Sequence, residues 1–174
     1  AELSTNWYTL PVGYNGRASS ILISDSDIRR PTGQIYEQAN GIVKFEPTKK
    51  LDFELEMGTV IGGSLPIGET VGFEEAENLI FGYVLLNDWS ARDLQAWEYQ
   101  PLGPFLSKSF GTSISPWIVT PEALEPFKTT PPERDFQLLP HFEDDKAFVF
   151  DIDLIVTLIE DGGTETDIVE TNAK

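Results

Sequence analysis

Leu85-Leu86-Asn87-Asp88-Trp89-Ser90-Ala91-Arg92-Asp93 carries an apolar strand straight into a carboxylate, and the rest of the chain is read outward from it. The strand is predicted to begin at Ile80 and to run through Asn87. A short helix is predicted over residues 90–97, opened by a serine able to cap it and by Asp93 in its first turn. Upstream, Phe73-Glu74-Glu75-Ala76-Glu77-Asn78-Leu79-Ile80 is the best helix pattern, with a charged face and good helix formers. Further upstream, Leu51-Asp52-Phe53-Glu54-Leu55-Glu56-Met57 alternates as an extended strand does. Glu54 and Glu56 therefore share one face while Phe53, Leu55 and Met57 share the other. Two like charges on one strand face repel unless a cation lies between them, and oxygen donors suit calcium or magnesium. The competing reading is a solvated face of an edge strand, where such carboxylates are ordinary. Asp88 has a competing reading too, as an Asx-type turn or helix cap.

The remaining segments point to a mainly β fold with short helices (α+β). Two short strands are expected in residues 1–24 around the turn Tyr14-Asn15-Gly16-Arg17, the second over Ser20–Ser24. Residues 25–48 read mostly as loop with a short strand at Gly41–Phe45. Pro101–Pro104 reads as a turn, residues 105–119 as extended, and 121–140 as a proline-rich loop. The run Ala147–Leu158 alternates well as a strand before Glu160-Asp161-Gly162-Gly163 turns the chain. At 174 residues and 40% hydrophobic composition the chain is long enough for one domain with a core. A formal charge of -17 argues against nucleic acid and anionic membrane as partners, since both require a basic patch. The absence of cysteine excludes disulfides and zinc thiolates and fits a cytoplasmic setting. The longest apolar runs are strand-sized rather than membrane-spanning. The chain starts at Ala1 without Met and ends just after a strand-like run, as a piece of a larger protein would.

Several chemistries lose support at this level. His141 is the single histidine, so a Ser-His-Asp hydrolase would rest on it alone. No glycine-rich stretch has the spacing of a phosphate or dinucleotide loop. Cofactor-free or metal-assisted chemistry remains. Lys108, in Leu106-Ser107-Lys108-Ser109-Phe110-Gly111-Thr112, reads as a surface lysine unless it shares the carboxylate site, where an ammonium would hold a developing enolate or carboxylate oxygen.

With these pieces in order the chain closely resembles the fumarylacetoacetase family. The likeness runs through Leu10–Ser20, Ile28–Gln34, Leu51–Met57, Ile80–Asp93, Trp97–Leu106, Lys108–Thr112 and Ser115–Trp117, and more weakly through Phe150–Ile152. Glu-x-Glu together with Asn-Asp-Trp-Ser-Ala-Arg-Asp marks the wider superfamily, and Trp-Glu-Tyr with Pro-Leu-Gly-Pro-Phe narrows it. The resemblance implies a partial β-roll and a metal-dependent cleavage of the carbon–carbon bond of 4-fumarylacetoacetate, the last step of tyrosine and phenylalanine catabolism. It implies Glu54, Glu56 and Asp88 as ligands of Mg2+ or Ca2+, with Lys108 and Thr112 at the same cation site and Lys108 also catalytic. It implies Tyr14, Gln95 and Tyr99 as residues that hold substrate, and this trio favours fumarylacetoacetate over the diketo acids of related hydrolases, decarboxylases and isomerases. It further implies a small diketo-acid substrate and a homodimer when the chain is complete.

In the family, the water-activating histidine, one more aspartate ligand and a substrate-binding arginine precede the Leu10–Tyr14 segment. A base-orienting glutamate and a substrate-touching threonine follow the position of Lys174. Residues 1–174 are therefore expected to be one partial catalytic domain, truncated at both ends and inactive by itself. The alternatives are another diketo-acid hydrolase, decarboxylase or isomerase of the same superfamily, or an inactive metal-binding remnant.

Overall fold

The computed structural model describes residues 6–10, 13 and 16–174. In chain order the elements are β1 (Ile21–Ile23), β2 (Thr32–Glu37), β3 (Ile42–Pro47), β4 (Leu51–Asp52), β5 (Leu55–Ile61), α1 (Phe73–Asn78), β6 (Ile80–Asp88), β7 (Ser90–Ala91), α2 (Arg92–Glu98), α3 (Leu106–Ser109), β8 (Thr112–Ile114), α4 (Pro121–Leu124), β9 (Lys128–Thr129), β10 (Val149–Phe150), β11 (Asp153–Ile159) and β12 (Glu165–Asn172). The fold is mainly β with short helices, as the sequence pattern requires. The elements cluster into two compact units. One holds residues 12–60 and 82–118, the other residues 1–11, 61–81 and 119–174.

The first unit is organised by a sheet of order β1-β8-β6-β5. β6 and β8 run antiparallel with Leu86 opposite Ile114, Asn87 opposite Ser113 and Asp88 opposite Thr112. β1 joins β8 in parallel, Ile21 opposite Thr112. β2 and β3 form an antiparallel hairpin from Thr32–Pro47 to Glu37–Ile42, turning at Gly41, whose φ of 70° is open to glycine at little cost. Ile35, Ala91 and Leu94 make the small buried core, with Phe110 packed against it. Gly33 is required by that packing, because a Cβ there would lie 2.6 Å from Cδ2 of Leu94 and 2.9 Å from Cδ2 of Leu106.

Several sequence expectations are corrected here. Residues 25–48 contain two strands rather than one, because Gly33 and Ile35 face inward while Thr32, Gln34 and Tyr36 face out. A glycine in place of the first apolar residue hid that alternation. The expected strand over residues 51–57 is broken at Phe53-Glu54. Glu54 N–H donates to the Asn87 side-chain oxygen at 3.1 Å, and its carbonyl accepts Asp88 N–H at 3.1 Å.

Ser90 is not the helix cap: it lies in β7, fully buried, paired opposite Asp52 in β4. The helix opens at Arg92, and Asp93 accepts N–H bonds from Lys49 at 2.8 Å and Leu94 at 3.0 Å, with the Thr48 hydroxyl donating to the same carboxylate. Residues 105–119 are not wholly extended, since Leu106–Ser109 form α3. Among the described residues of 1–24 the strand is β1; the turn at Tyr14-Asn15 lies outside the described residues.

In the second unit, β11 and β12 form an antiparallel hairpin with a register shift between Val156 and Thr157 and Gly163 at a φ of 78° in the turn. The alternating run at 147–158 is divided between β10, which pairs with β9, and β11. The proline-rich stretch holds α4, started by Pro121 where its missing N–H costs nothing, followed by a 3-10 turn at Glu125–Phe127 and by β9. Among the described residues no helix is long and apolar enough to cross a membrane.

Candidate metal centre

The carboxylates of Glu54, Glu56 and Asp88 each offer an oxygen, and these oxygens lie within 4.8 Å of one another. Their convergence follows from the backbone. Asp88 ends β6, Glu56 lies one residue into β5, and the Glu54 backbone is pinned between the Asn87 side chain and Asp88 N–H. Glu54 and Glu56 thus point to one place although Glu54 lies in the break before β5 and Glu56 within it.

Three cations surround the acids. Lys108 is 1% exposed, and its Nζ donates to Glu54 Oε2 and lies 3.5 Å from Asp88 Oδ2. Arg92 binds Asp52 Oδ2 through Nε at 2.8 Å and Glu54 Oε1 through a terminal nitrogen at 2.9 Å. Arg17 donates to Thr112 Oγ1 at 2.7 Å, and that hydroxyl donates to Asp88 Oδ1 at 2.9 Å, so the guanidinium reaches Asp88 both through the threonine and directly at 3.7 Å.

Titration behaviour follows from this crowding. Partial desolvation, the negative charges of Asp88 and Glu54 and a shared hydrogen bond with Glu54 push the Glu56 pKa up, against the pull of Lys108. The Arg92 hydrogen bond holds Asp52 below the usual carboxylate range despite some burial, and the N–H of Phe53 adds to the effect. Burial alone would lower the Arg92 pKa, but the hydrogen bond it donates to Asp52 and the charge of Glu54 raise it. The all-oxygen donor set fits a hard cation such as calcium or magnesium. Glu54, Glu56 and Asp88 form a group that could hold a metal ion.

Of the other residues singled out by sequence, Gln95 accepts a hydrogen bond from an Arg92 terminal nitrogen at 3.0 Å, which ties it to the Glu54 side of the cluster. Tyr99 flanks the end of α2, half exposed, with its N–H on the Gln95 carbonyl at 3.0 Å. Tyr14 lies outside the described residues. Lys108 is buried against Glu54 and Asp88, beside the carboxylates rather than on the surface, which was the competing reading. Its place is set by α3, whose shortness left no periodicity to read.

Sequence reasoning missed Arg92, Arg17, Asp52 and Asn87 as members of the site. Arg92 stands inside the motif that decided the fold, and its charge four residues past Asp88 was the available signal. Arg17 meets Thr112 across 95 residues, which no local pattern reveals. His141 sits in the turn Pro140–Phe142, its ring 4.2 Å from that of Phe142.

The family profile described as "Fumarylacetoacetate (FAA) hydrolase C-terminal" matches residues 2–165. The chain is 51% identical over 167 residues to a protein of Arabidopsis thaliana named "Fumarylacetoacetase", covering 96% of this chain and 40% of that protein. A protein of the same name from Dictyostelium discoideum is 52% identical over 158 residues, with 90% of this chain and 37% of the relative covered. The human protein so named is 49% identical over 160 residues, with 92% and 38% covered. The chain thus spans about two fifths of the length of the curated relatives it matches. The carboxylate cluster and the cations around it lie wholly within the matched span, and by this match the chain belongs to the fumarylacetoacetate hydrolase family.

Proposed function

We propose that this chain forms the divalent-cation and enolate-holding part of an enzyme that hydrolyses the carbon–carbon bond of 4-fumarylacetoacetate to fumarate and acetoacetate. The observation that carries the reading is the trio Glu54, Glu56 and Asp88 with a buried lysine against it. Bound there, Mg2+ or Ca2+ supplies Lewis acidity toward the oxygens of a 1,3-diketone. Water adds to the carbonyl next to the bond that breaks, and the bonding electron pair passes to the acetoacetate side as an enolate that then takes a proton. Lys108 supplies a fixed positive charge where the enolate oxygen forms, in a setting too dry to screen it.

Arg92 and Gln95, one turn apart on α2, present planar donors at the Glu54 edge, and Gln95 and Tyr99 are the residues we assign to substrate oxygens, with Tyr14. Thr112, held by Arg17, fixes the rotamer of Asp88. The water-activating base is not assigned to a residue of this chain. The names of the relatives support the substrate, and the cysteine-free composition supports a cytoplasmic setting. A homodimer and one partial catalytic domain remain part of the proposal on the family resemblance.

The test is turnover of 4-fumarylacetoacetate by the longest natural chain that contains these residues. Activity removed by a chelator and restored by Mg2+ or Ca2+ is expected; cleavage that proceeds at the same rate with chelator present contradicts the reading.

A further inference from the structure

α2 presents one residue per turn to the site region. Arg92 reaches Asp52 and Glu54, Gln95 takes a hydrogen bond from Arg92, and the third residue in that spacing, Glu98, turns the opposite way along the chain to α3. The single oxygen Oε1 of Glu98 accepts N–H bonds from Phe105 at 2.8 Å and from Ser107 at 2.7 Å. Those are the residue before α3 and the second residue within it. Lys108 follows at once, its own N–H on the Phe105 carbonyl at 3.1 Å. α3 is only Leu106–Ser109, one turn without a side-chain cap at Phe105, so it has no cooperative length of its own to hold it in place. Ser107 and Lys108 are both buried, and among the described residues the Ser107 hydroxyl has no hydrogen-bond partner, so at Ser107 it is the backbone N–H that ties the turn to Glu98.

We infer that Glu98 is a positioning residue for Lys108: its carboxylate fastens the turn that aims the ammonium at Glu54 and Asp88. Glu98 does not touch the reacting atoms. It couples α2, which carries Arg92 and Gln95, to α3, which carries Lys108, so that the cations on both helices keep a fixed separation across the carboxylates. One acceptor oxygen serves both N–H groups. The neutral amide of glutamine therefore preserves the arrangement, and alanine abolishes it.

The inference rests on the functional reading above only for its effect on rate, and the experiment separates the two. The 15N resonance of the Lys108 ammonium, visible because the group is buried and hydrogen-bonded, is recorded for the parent chain, Glu98→Gln and Glu98→Ala, with Lys108→Arg to assign it. The ammonium signal is expected to keep its position in Glu98→Gln and to shift or broaden in Glu98→Ala, with amide exchange of Phe105 and Ser107 accelerated about tenfold or more. An unchanged ammonium signal in Glu98→Ala overturns the inference.

In the longest natural chain that contains these residues, Glu98→Ala is expected to lower kcat on the order of tenfold to a hundredfold with KM within about twofold. Glu98→Gln is expected to restore most of it. A moved ammonium with kcat unchanged overturns the role in positioning for catalysis. If the parent does not cleave 4-fumarylacetoacetate, the functional reading fails while the ammonium signal still decides whether Glu98 places Lys108.

Discussion

The two units of this chain differ in how they handle charge: among the described residues only one holds an interlocked network, although that unit also carries the isolated surface pairs Lys44–Glu37 and Lys49–Glu46. In the unit built from residues 12–60 and 82–118, Lys108, Arg92 and Arg17 meet Glu54, Asp52 and Asp88 as one interlocked network around partly or fully buried groups. In the other, each cation stands near the surface with one or two carboxylates and shares them with no second cation among the described residues: Lys128 with Glu77 at 2.8 Å and Glu125 at 3.0 Å, Lys174 with Asp151 at 3.0 Å, and Lys146 with Glu74 at 3.9 Å. Charges that share partners in a dry site fix one geometry, because moving any member leaves another unpaired. Charges that pair alone in water are exchanged with solvent at little cost. The first arrangement is what chemistry needs and the second is what solubility needs.

The largest expected effect is on Lys108. Lys108→Ala in the longest natural chain that contains these residues should lower kcat by about 10²–10³, the cost of one fixed donor to a developing oxyanion, measured by steady-state hydrolysis of 4-fumarylacetoacetate. A rate within a few-fold of the parent would place Lys108 outside the chemistry and dissolve the contrast between the units.

Next comes packing beneath the site. Gly33→Ala would put a Cβ 2.6 Å from Leu94 Cδ2 and 2.9 Å from Leu106 Cδ2, so these side chains, or the helices α2 and α3 that carry them, must shift. The expected loss is about 1–3 kcal/mol by denaturant unfolding. An unchanged midpoint would mean that α2 and α3 give way freely. A matching substitution at Gly162, where a Cβ meets nothing within 4 Å, should be close to neutral.

A smaller effect is expected for Glu56→Gln. It removes the charge whose ionised form burial and its neighbours disfavour, so the metal-free chain should melt higher by on the order of 2 °C. Calcium should then add less to the melting temperature than it adds to the parent. A lower metal-free melting temperature would show that the Glu56 charge is satisfied by the protein alone.

The least effect belongs to Lys128→Ala. Its exposed pairs are worth about 0–1 kcal/mol, and the loss should fade in high salt. Hydrogen bonds to Glu77 and then Glu125 raise the Lys128 pKa, so its contribution is complete below the unfolded lysine value of about 10.4 and disappears as pH rises through the folded one. A loss as large as that for Gly33→Ala would contradict the division drawn here.

The sequence made some of this legible and hid the rest for identifiable reasons. β6 and the Glu54/Glu56 alternation were readable because side-chain direction repeats every second residue, and Asp88 was readable as the point where an apolar strand meets a charge. α1 was found within two residues of its end because six residues of good helix formers leave a pattern. α3 was not, since one turn shows no period. β2 was masked by Gly33, whose missing side chain looks like loop composition but is demanded by Leu94 and Leu106. Ser90 resembled a cap because Ser before Asp usually is one; tertiary pairing with Asp52 took it into β7 instead. The site's cations were the least visible part. Lys108 was named through the family resemblance, whereas Arg17 and Arg92 acquire meaning only when the fold brings them to the same carboxylates.

The most direct test of the central claim is a calorimetric titration of Ca2+, and separately Mg2+, into the parent chain and into Glu54→Gln. Saturable binding by the parent, weakened about tenfold or more in Glu54→Gln while the variant stays folded by circular dichroism, is the predicted result. Equal affinity in the two chains, or no binding by a folded parent, would contradict the assignment of Glu54, Glu56 and Asp88 as a divalent-cation site.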